Sequence, residues 1–177
     1  MTLEIRLVDP SEATALGELT VAAYASAPGF AADDAYFSDL ADVARRATLA
    51  EVLVAVDAGV VVGGVTYVSR PGPYAEFDDP EGVGLRMLAV APQAQGRGVG
   101  TALIRACAAK ARAEGRARLW LHTTKALTVA QRIYEREGFR RAPEHDWKGE
   151  DLHLIAYVLD LDEWGREEWG RRDSNPH

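Results

Sequence analysis

The segment Leu88-Ala89-Val90-Ala91-Pro92-Gln93-Ala94-Gln95-Gly96-Arg97-Gly98-Val99-Gly100-Thr101 carries glycine at three alternate positions and runs straight into the apolar Ala102-Leu103-Ile104. Glycines spaced in this way clear side chains from a turn where a ligand can approach the backbone. The N–H groups that open a helix lack intrahelical acceptors and lie at its positive dipole end, so such a turn suits a phosphate or pyrophosphate. Arg97, between two of the glycines, adds a positive charge. A Walker A loop is excluded, because it ends in Gly-Lys-Ser/Thr whereas Thr101 follows Gly100 with no lysine. A dinucleotide fingerprint is excluded as well: it spaces its glycines G-x-G-x-x-G in a first βα unit, and this turn follows several strand-like stretches. What remains is the pattern Gln/Arg-x-x-Gly-x-Gly/Ala, met by Gln95, Gly98 and Gly100.

The elements around this turn are legible from periodicity. An alternating stretch at about residues 3–8 leads to the helix-start signal Asp9-Pro10-Ser11 and an apolar-periodic helix through Tyr24. Pro28-Gly29 interrupts, and Ala35 to Ala47 reads as a second helix. Two β-branched runs, Val52–Val56 and Val60–Val68, flank Asp57-Ala58-Gly59 and predict an antiparallel hairpin. Pro71 to Gly84, with four acidic residues, reads as a long functional loop. Strands are predicted at Leu85–Val90, Arg118–Thr123 and Leu152–Leu159, and helices at Gly100–Glu114 and Thr128–Glu137, with Gly115 and Gly138 as stops. One domain over residues 1–162 and a polar tail over 163–177, disordered in its last eight or so residues, are expected. Trp164 and Trp169 are expected to pack locally or on a partner.

Composition narrows the function. The 177 residues carry a net charge of -7, which speaks against nonspecific nucleic-acid binding. That total hides a partition: net -10 over residues 1–85 (4 basic, 14 acidic), +9 over 86–141 (12 and 3) and -6 over 142–177 (4 and 10). The middle island coincides with the glycine turn and points to a polyanionic ligand. No apolar run is long enough for a membrane helix, so a cytoplasmic protein without a membrane partner is expected. Cys107 is a lone cysteine in an apolar helical pattern, read as packing, and no metal-ligand spacing occurs.

A second motif settles the resemblance. Ala130-Gln131-Arg132-Ile133-Tyr134-Glu135-Arg136-Glu137-Gly138-Phe139 resembles the A-x-x-x-Y-x-x-x-G-F signature of the GCN5-related N-acetyltransferase (GNAT) superfamily, and the glycine turn resembles that family's pyrophosphate turn. Over about residues 3–160 the resemblance implies an α/β (mixed α+β) fold, with a central, mostly antiparallel twisted sheet of about six to seven strands flanked by about four helices. It implies acetyl-CoA as acyl donor, a primary amine as acceptor, and direct attack through a tetrahedral intermediate. A homodimer is compatible with it.

The resemblance also assigns roles. Gln95, Gly96, Arg97, Gly98, Val99, Gly100 and Thr101 bind the phosphates; backbone amides of Leu88, Ala89 and Val90, at a bulged strand end, hydrogen-bond the thioester carbonyl as charge develops. Tyr134 contacts the cofactor and is the expected general acid for the departing thiolate, since a phenol of reference pKa about 10 is still protonated at neutral pH. The amine must lose a proton, and His122, with a reference pKa of about 6.5, is the expected base. Glu76 is an alternative base or substrate anchor, as is Glu81. The acidic flanks, with Tyr24, Phe30, Tyr36 and Phe37, favour a cationic amine with apolar character. Two departures stand out: Leu127 occupies a position where the family often has asparagine, leaving Thr128 to cap the helix, and Gly84 replaces a glutamate. A noncatalytic acyl-CoA-binding module, or an interaction protein using the tryptophan tail, is compatible with the same motifs.

Overall fold

The structure, a computed structural model, describes residues 2–29, 35–150 and 152–173, with side chains as far as residue 167. Phe30, the side chain of Trp169 and the last four residues of the expected disordered tail lie outside the described residues. The chain falls into two compact units, Met1–Glu76 with Gly84–Cys107, and Phe77–Val83 with the chain from Ala108 onward.

In the first unit β1 (Leu3–Leu7), β2 (Glu51–Asp57), β3 (Val60–Val68) and β4 (Gly82–Val90) pair antiparallel in that order. The hairpin turn between β2 and β3 is as tight as expected, with both Ala58 and Gly59 left-handed (φ 48° and 81°). Asp9 and Glu12 form a capping box that opens a 3-10 turn ahead of α1 (Ala13–Ala25). The single helix expected over residues 35–47 is two, α2 (Tyr36–Ala41) and α3 (Val43–Leu49). Asp42 breaks them apart: its backbone leaves the helical region at ψ 66° and its carboxylate accepts the Arg45 N–H at 3.1 Å, capping α3. The 3-10 turn Pro92–Ala94 then leads to α4 (Val99–Ala113).

In the second unit β5 (Arg118–Thr124), β8 (His153–Asp160) and β6 (Arg140–Arg141) pair antiparallel, and β7 (Trp147–Lys148) also pairs with β8. α5 (Thr128–Arg136) ends ahead of Gly138 at φ 101°. Thr128 does not cap it; Leu127 occupies the cap position without a side-chain hydrogen bond. The expected tail is a helix, α6 (Leu161–Asp173), capped by Asp160, whose carboxylate accepts the Glu163 N–H at 3.0 Å. Leu161 and Trp164 are buried, which explains why a stretch with so few apolar residues folds at all.

The fold is therefore mixed α/β with mostly antiparallel pairing, as expected, but with eight strands and six α-helices among the described residues. The excess over the sequence reading comes from β6 and β7, two residues each, from the split at Asp42, and from α6. None of the described helices is long and apolar enough to cross a membrane.

Candidate active site

The glycine turn belongs to the first unit. Gly96 and Gly98 are left-handed, at φ 77° and 81°, a conformation that costs a side-chain-bearing residue roughly 1–2 kcal/mol. The first i→i−4 bond of α4 runs from the Ala102 N–H to the Gly98 carbonyl at 3.0 Å. The N–H groups of Val99, Gly100 and Thr101 precede it and are left for an external acceptor. Gly100 needs no unusual backbone, and a Cβ added there would meet only Val90 Cγ2, at an ordinary 3.7 Å. A residue no larger than alanine is therefore accommodated there, in keeping with the Gly/Ala of the motif. Gln95 and Arg97 are exposed, Val99 is buried, and Arg97 takes part in no ion pair among the described residues. Replacing Gly98 with alanine should therefore weaken coenzyme A binding about 5- to 30-fold. Gly100→Ala, which the motif tolerates, should leave it within about twofold, and calorimetry of both variants checks the contrast.

β4 carries the expected bulge. Gly64 pairs with Ala89 and Thr66 with Arg86, so Met87 and Leu88 together oppose Val65 alone. Met87 takes φ 55°, rare for a residue with a side chain, and this kink re-aims the backbone at Leu88, Ala89 and Val90. These are the positions expected to face an acyl carbonyl.

In the second unit, the pleat of β5 separates the two proton-handling candidates. Tyr157 of β8 stands opposite Leu121, and Ala156 opposite His122. Tyr134 packs against Tyr157 and Phe139, with ring centroids 6.0 and 5.7 Å away, and so lies on the Leu121 face. It is only 6% exposed, and burial pushes its phenol well above the usual tyrosine range. His122 lies on the other face with Trp120 and Thr124. Its Nε2 is 3.0 Å from the His145 carbonyl, which can only accept, so Nε2 carries hydrogen and the neutral ring's lone pair sits on Nδ1. Thr124 Oγ1, on the same face, is buried without a hydrogen-bond partner.

Sequence reasoning missed what holds His122. Phe77 stacks on its ring at 4.4 Å and on Trp120 at 4.9 Å, while His145 meets Trp120 edge-on at 4.6 Å. The Phe77 loop is pinned by Asp79, whose carboxylate takes Arg118 Nε at 2.6 Å, Arg118 Nη2 at 2.9 Å and Trp120 Nε1 at 2.8 Å. These bonds, that from Arg118 foremost, hold the Asp79 carboxyl far below the usual carboxylate range. An Asp at a depressed pKa stabilises the fold fully above its unfolded value of about 3.9 and loses that contribution as pH falls through the folded value. Asp79→Asn should thus cost about 2 kcal/mol at pH 7 in urea unfolding, with the gap to wild type narrowing below about pH 4.

The other carboxylates are committed too. Glu76 Oε1 is 2.5 Å from Arg86 Nε, and Glu81 Oε2 is 3.2 Å from Arg118 Nη2. Together with Arg141 on Asp146 at 2.9 Å, these pairs show that part of the cationic island is neutralised inside the protein by the acidic flanks.

The model of the acetyltransferase (GNAT) family matches residues 16–139. The chain belongs to that family. Solved structures with the same fold include yncA from Salmonella typhimurium with its cofactor acetyl-CoA, at 24% identity and a TM-score of 0.67, covering 92% of this chain and 96% of that one. A GCN5-related N-acetyltransferase from Kribbella flavida is 25% identical, with a TM-score of 0.64 and coverage of 89% and 97%. The PaiA N-acetyltransferase from Thermoplasma acidophilum in complex with coenzyme A is 13% identical, with a TM-score of 0.68 and coverage of 90% and 99%. No curated protein sequence matches the chain. For a GNAT protein, then, the bulge in β4 and the glycine turn are the family's parts in their expected order. The Asp79–Phe77 strap over His122 was signalled in the sequence only by an acidic loop upstream of Arg118.

Proposed function

We propose that this protein is an N-acetyltransferase, with one catalytic domain over residues 1–162, that moves the acetyl group of acetyl-CoA to a primary amine. The observation that carries the reading is the turn in which left-handed Gly96 and Gly98 present the unpaired N–H groups of α4. Bound there, acetyl-CoA supplies an activated thioester. Amides from Gly96 to Thr101, with Arg97, hold its phosphates. Backbone N–H groups at the β4 bulge, Leu88 to Val90, stabilise the charge that develops on the acyl oxygen in the tetrahedral intermediate. His122 Nδ1 takes the proton that the ammonium group must lose. The Tyr134 hydroxyl gives a proton to the departing sulfur, and its raised pKa keeps that proton in place at neutral pH. The two groups lie on opposite faces of β5. Glu76 is less suited to the base role, because its carboxylate is engaged by Arg86. Calorimetric titration with acetyl-CoA, followed by a thiol-release assay over an amine panel, tests the reading; absence of binding at millimolar acetyl-CoA sinks it.

A further inference from the structure

Arg46, on α3, is the bulkiest of the fully buried side chains, at 2% exposure. Its guanidinium bonds only to uncharged oxygens: Nε to Thr66 Oγ1 at 3.2 Å, and Nη1 to the Leu40 carbonyl at 3.1 Å and to the Asp39 carbonyl. No ion pair with a carboxylate is made by Arg46 among the described residues. Capping the last carbonyls of α2 explains why a donor sits there. It does not explain a full positive charge, which burial without a counter-ion opposes. Desolvation accordingly holds the Arg46 guanidinium below its ordinary range.

A second cation lies alongside. Thr66 stands directly opposite Arg86 across the β3–β4 ladder, and the Arg86 guanidinium sits 5.6 Å over the Tyr74 ring while pairing with Glu76. Among the described residues, two arginines against one glutamate leave the cluster one positive charge in excess. Phenols surround it: Tyr74 is buried, and Tyr24 and Tyr36 meet edge-on at 6.1 Å. Burial raises the Tyr36 phenol, so it stays a hydrogen-bond donor across the physiological range. Arg86 and Tyr36 are only partly buried, so that end of the cluster reaches the surface, whereas Arg46 is fully buried. Arg86 also immediately precedes Met87 and Leu88, the bulge assigned to the acyl carbonyl.

We propose that Arg46, Arg86 and the neighbouring phenols bind the carboxylate of the acceptor, so that the amine acetylated belongs to an amino acid rather than to an alkylamine or polyamine. Positive charge in excess beside phenolic hydroxyls, next to the β4 bulge, selects an anion, and a planar guanidinium fork matches a carboxylate. This deepens the acetyltransferase reading and rests on it for the word acceptor; the anion site itself does not.

Two readouts keep the ideas separate. Thiol release from acetyl-CoA is compared for L-phenylalanine against phenethylamine, L-tryptophan against tryptamine and L-lysine against cadaverine. In parallel, saturation-transfer NMR on the coenzyme A-loaded protein measures binding of the same pairs without turnover. The carboxylated member should bind at least tenfold more tightly and show a kcat/KM at least tenfold higher. Equal binding, preference for the decarboxylated amines, or no binding of any amino acid up to about 10 mM overturns the proposal. Carboxylate-selective binding with no thiol release from any pair keeps the anion site and removes the catalytic reading. Arg46→Met should abolish the preference and Arg46→Lys restore part of it. Where Arg46→Met melts far below wild type, Arg86→Met, at the end that reaches the surface, takes its place and should cut the preference at least threefold.

Discussion

Tyr134→Phe should lower kcat about 100-fold or more, equivalent to about 2.7 kcal/mol of transition-state stabilisation, while the Kd for acetyl-CoA stays within about twofold. The substitution removes one oxygen and keeps the ring that packs against Phe139 and Tyr157, so the core of the second unit should be undisturbed. Because burial raises the phenol above its unfolded value of about 10, Tyr134 remains protonated through the accessible range. The alkaline limb of the wild-type kcat profile should therefore not begin below about pH 10 on its account. Pre-steady-state thiol release and calorimetry measure the two quantities separately. A variant that turns over normally removes Tyr134 from the chemistry. A protein that binds acetyl-CoA yet releases no thiol with or without the phenol is instead a sensor.

For His122→Gln, kcat/KM should fall about 100-fold at pH 7, and the loss should shrink as pH rises. The glutamine amide can still donate toward the His145 carbonyl, but it has no lone pair basic enough to accept the substrate's proton. The variant then depends on amine already neutral in solution, a fraction that grows about tenfold per pH unit until the amine's own pKa. Wild type, which carries its own proton acceptor, should show a much shallower climb. If both proteins climb alike, the base lies elsewhere, and Glu76→Gln becomes the informative variant. Asp79→Asn offers a graded companion, since Phe77 remains but its loop loses the carboxylate that fastens it to Arg118 and Trp120.

Much of this protein is readable without coordinates because the signals are local. The hairpin at Asp57 to Gly59, the stops at Gly115 and Gly138, and the left-handed turn ahead of α4 each follow from backbone sterics within a few residues. The errors have local causes as well. Asp42 was an unread cap inside a helical pattern, and α6 draws its stability from Leu161 and Trp164 meeting the rest of their unit, which hydropathy along the tail understates.

The family and the left-handed glycine turn ahead of α4 were thus legible in the sequence alone, since a turn's type depends on which residues tolerate positive φ and on the N–H groups that a helix start must expose. Which charges are available was decided only by tertiary structure. The +9 island reads as a single cationic stripe, yet folding spends Arg86, Arg118 and Arg141 on acids from the flanking segments. Arg46, inconspicuous in a short helix, ends fully buried with no carboxylate ion pair among the described residues. Pairing of that kind depends on contacts between residues far apart in the chain, such as Asp79 and Arg118, and no periodicity along the sequence encodes them.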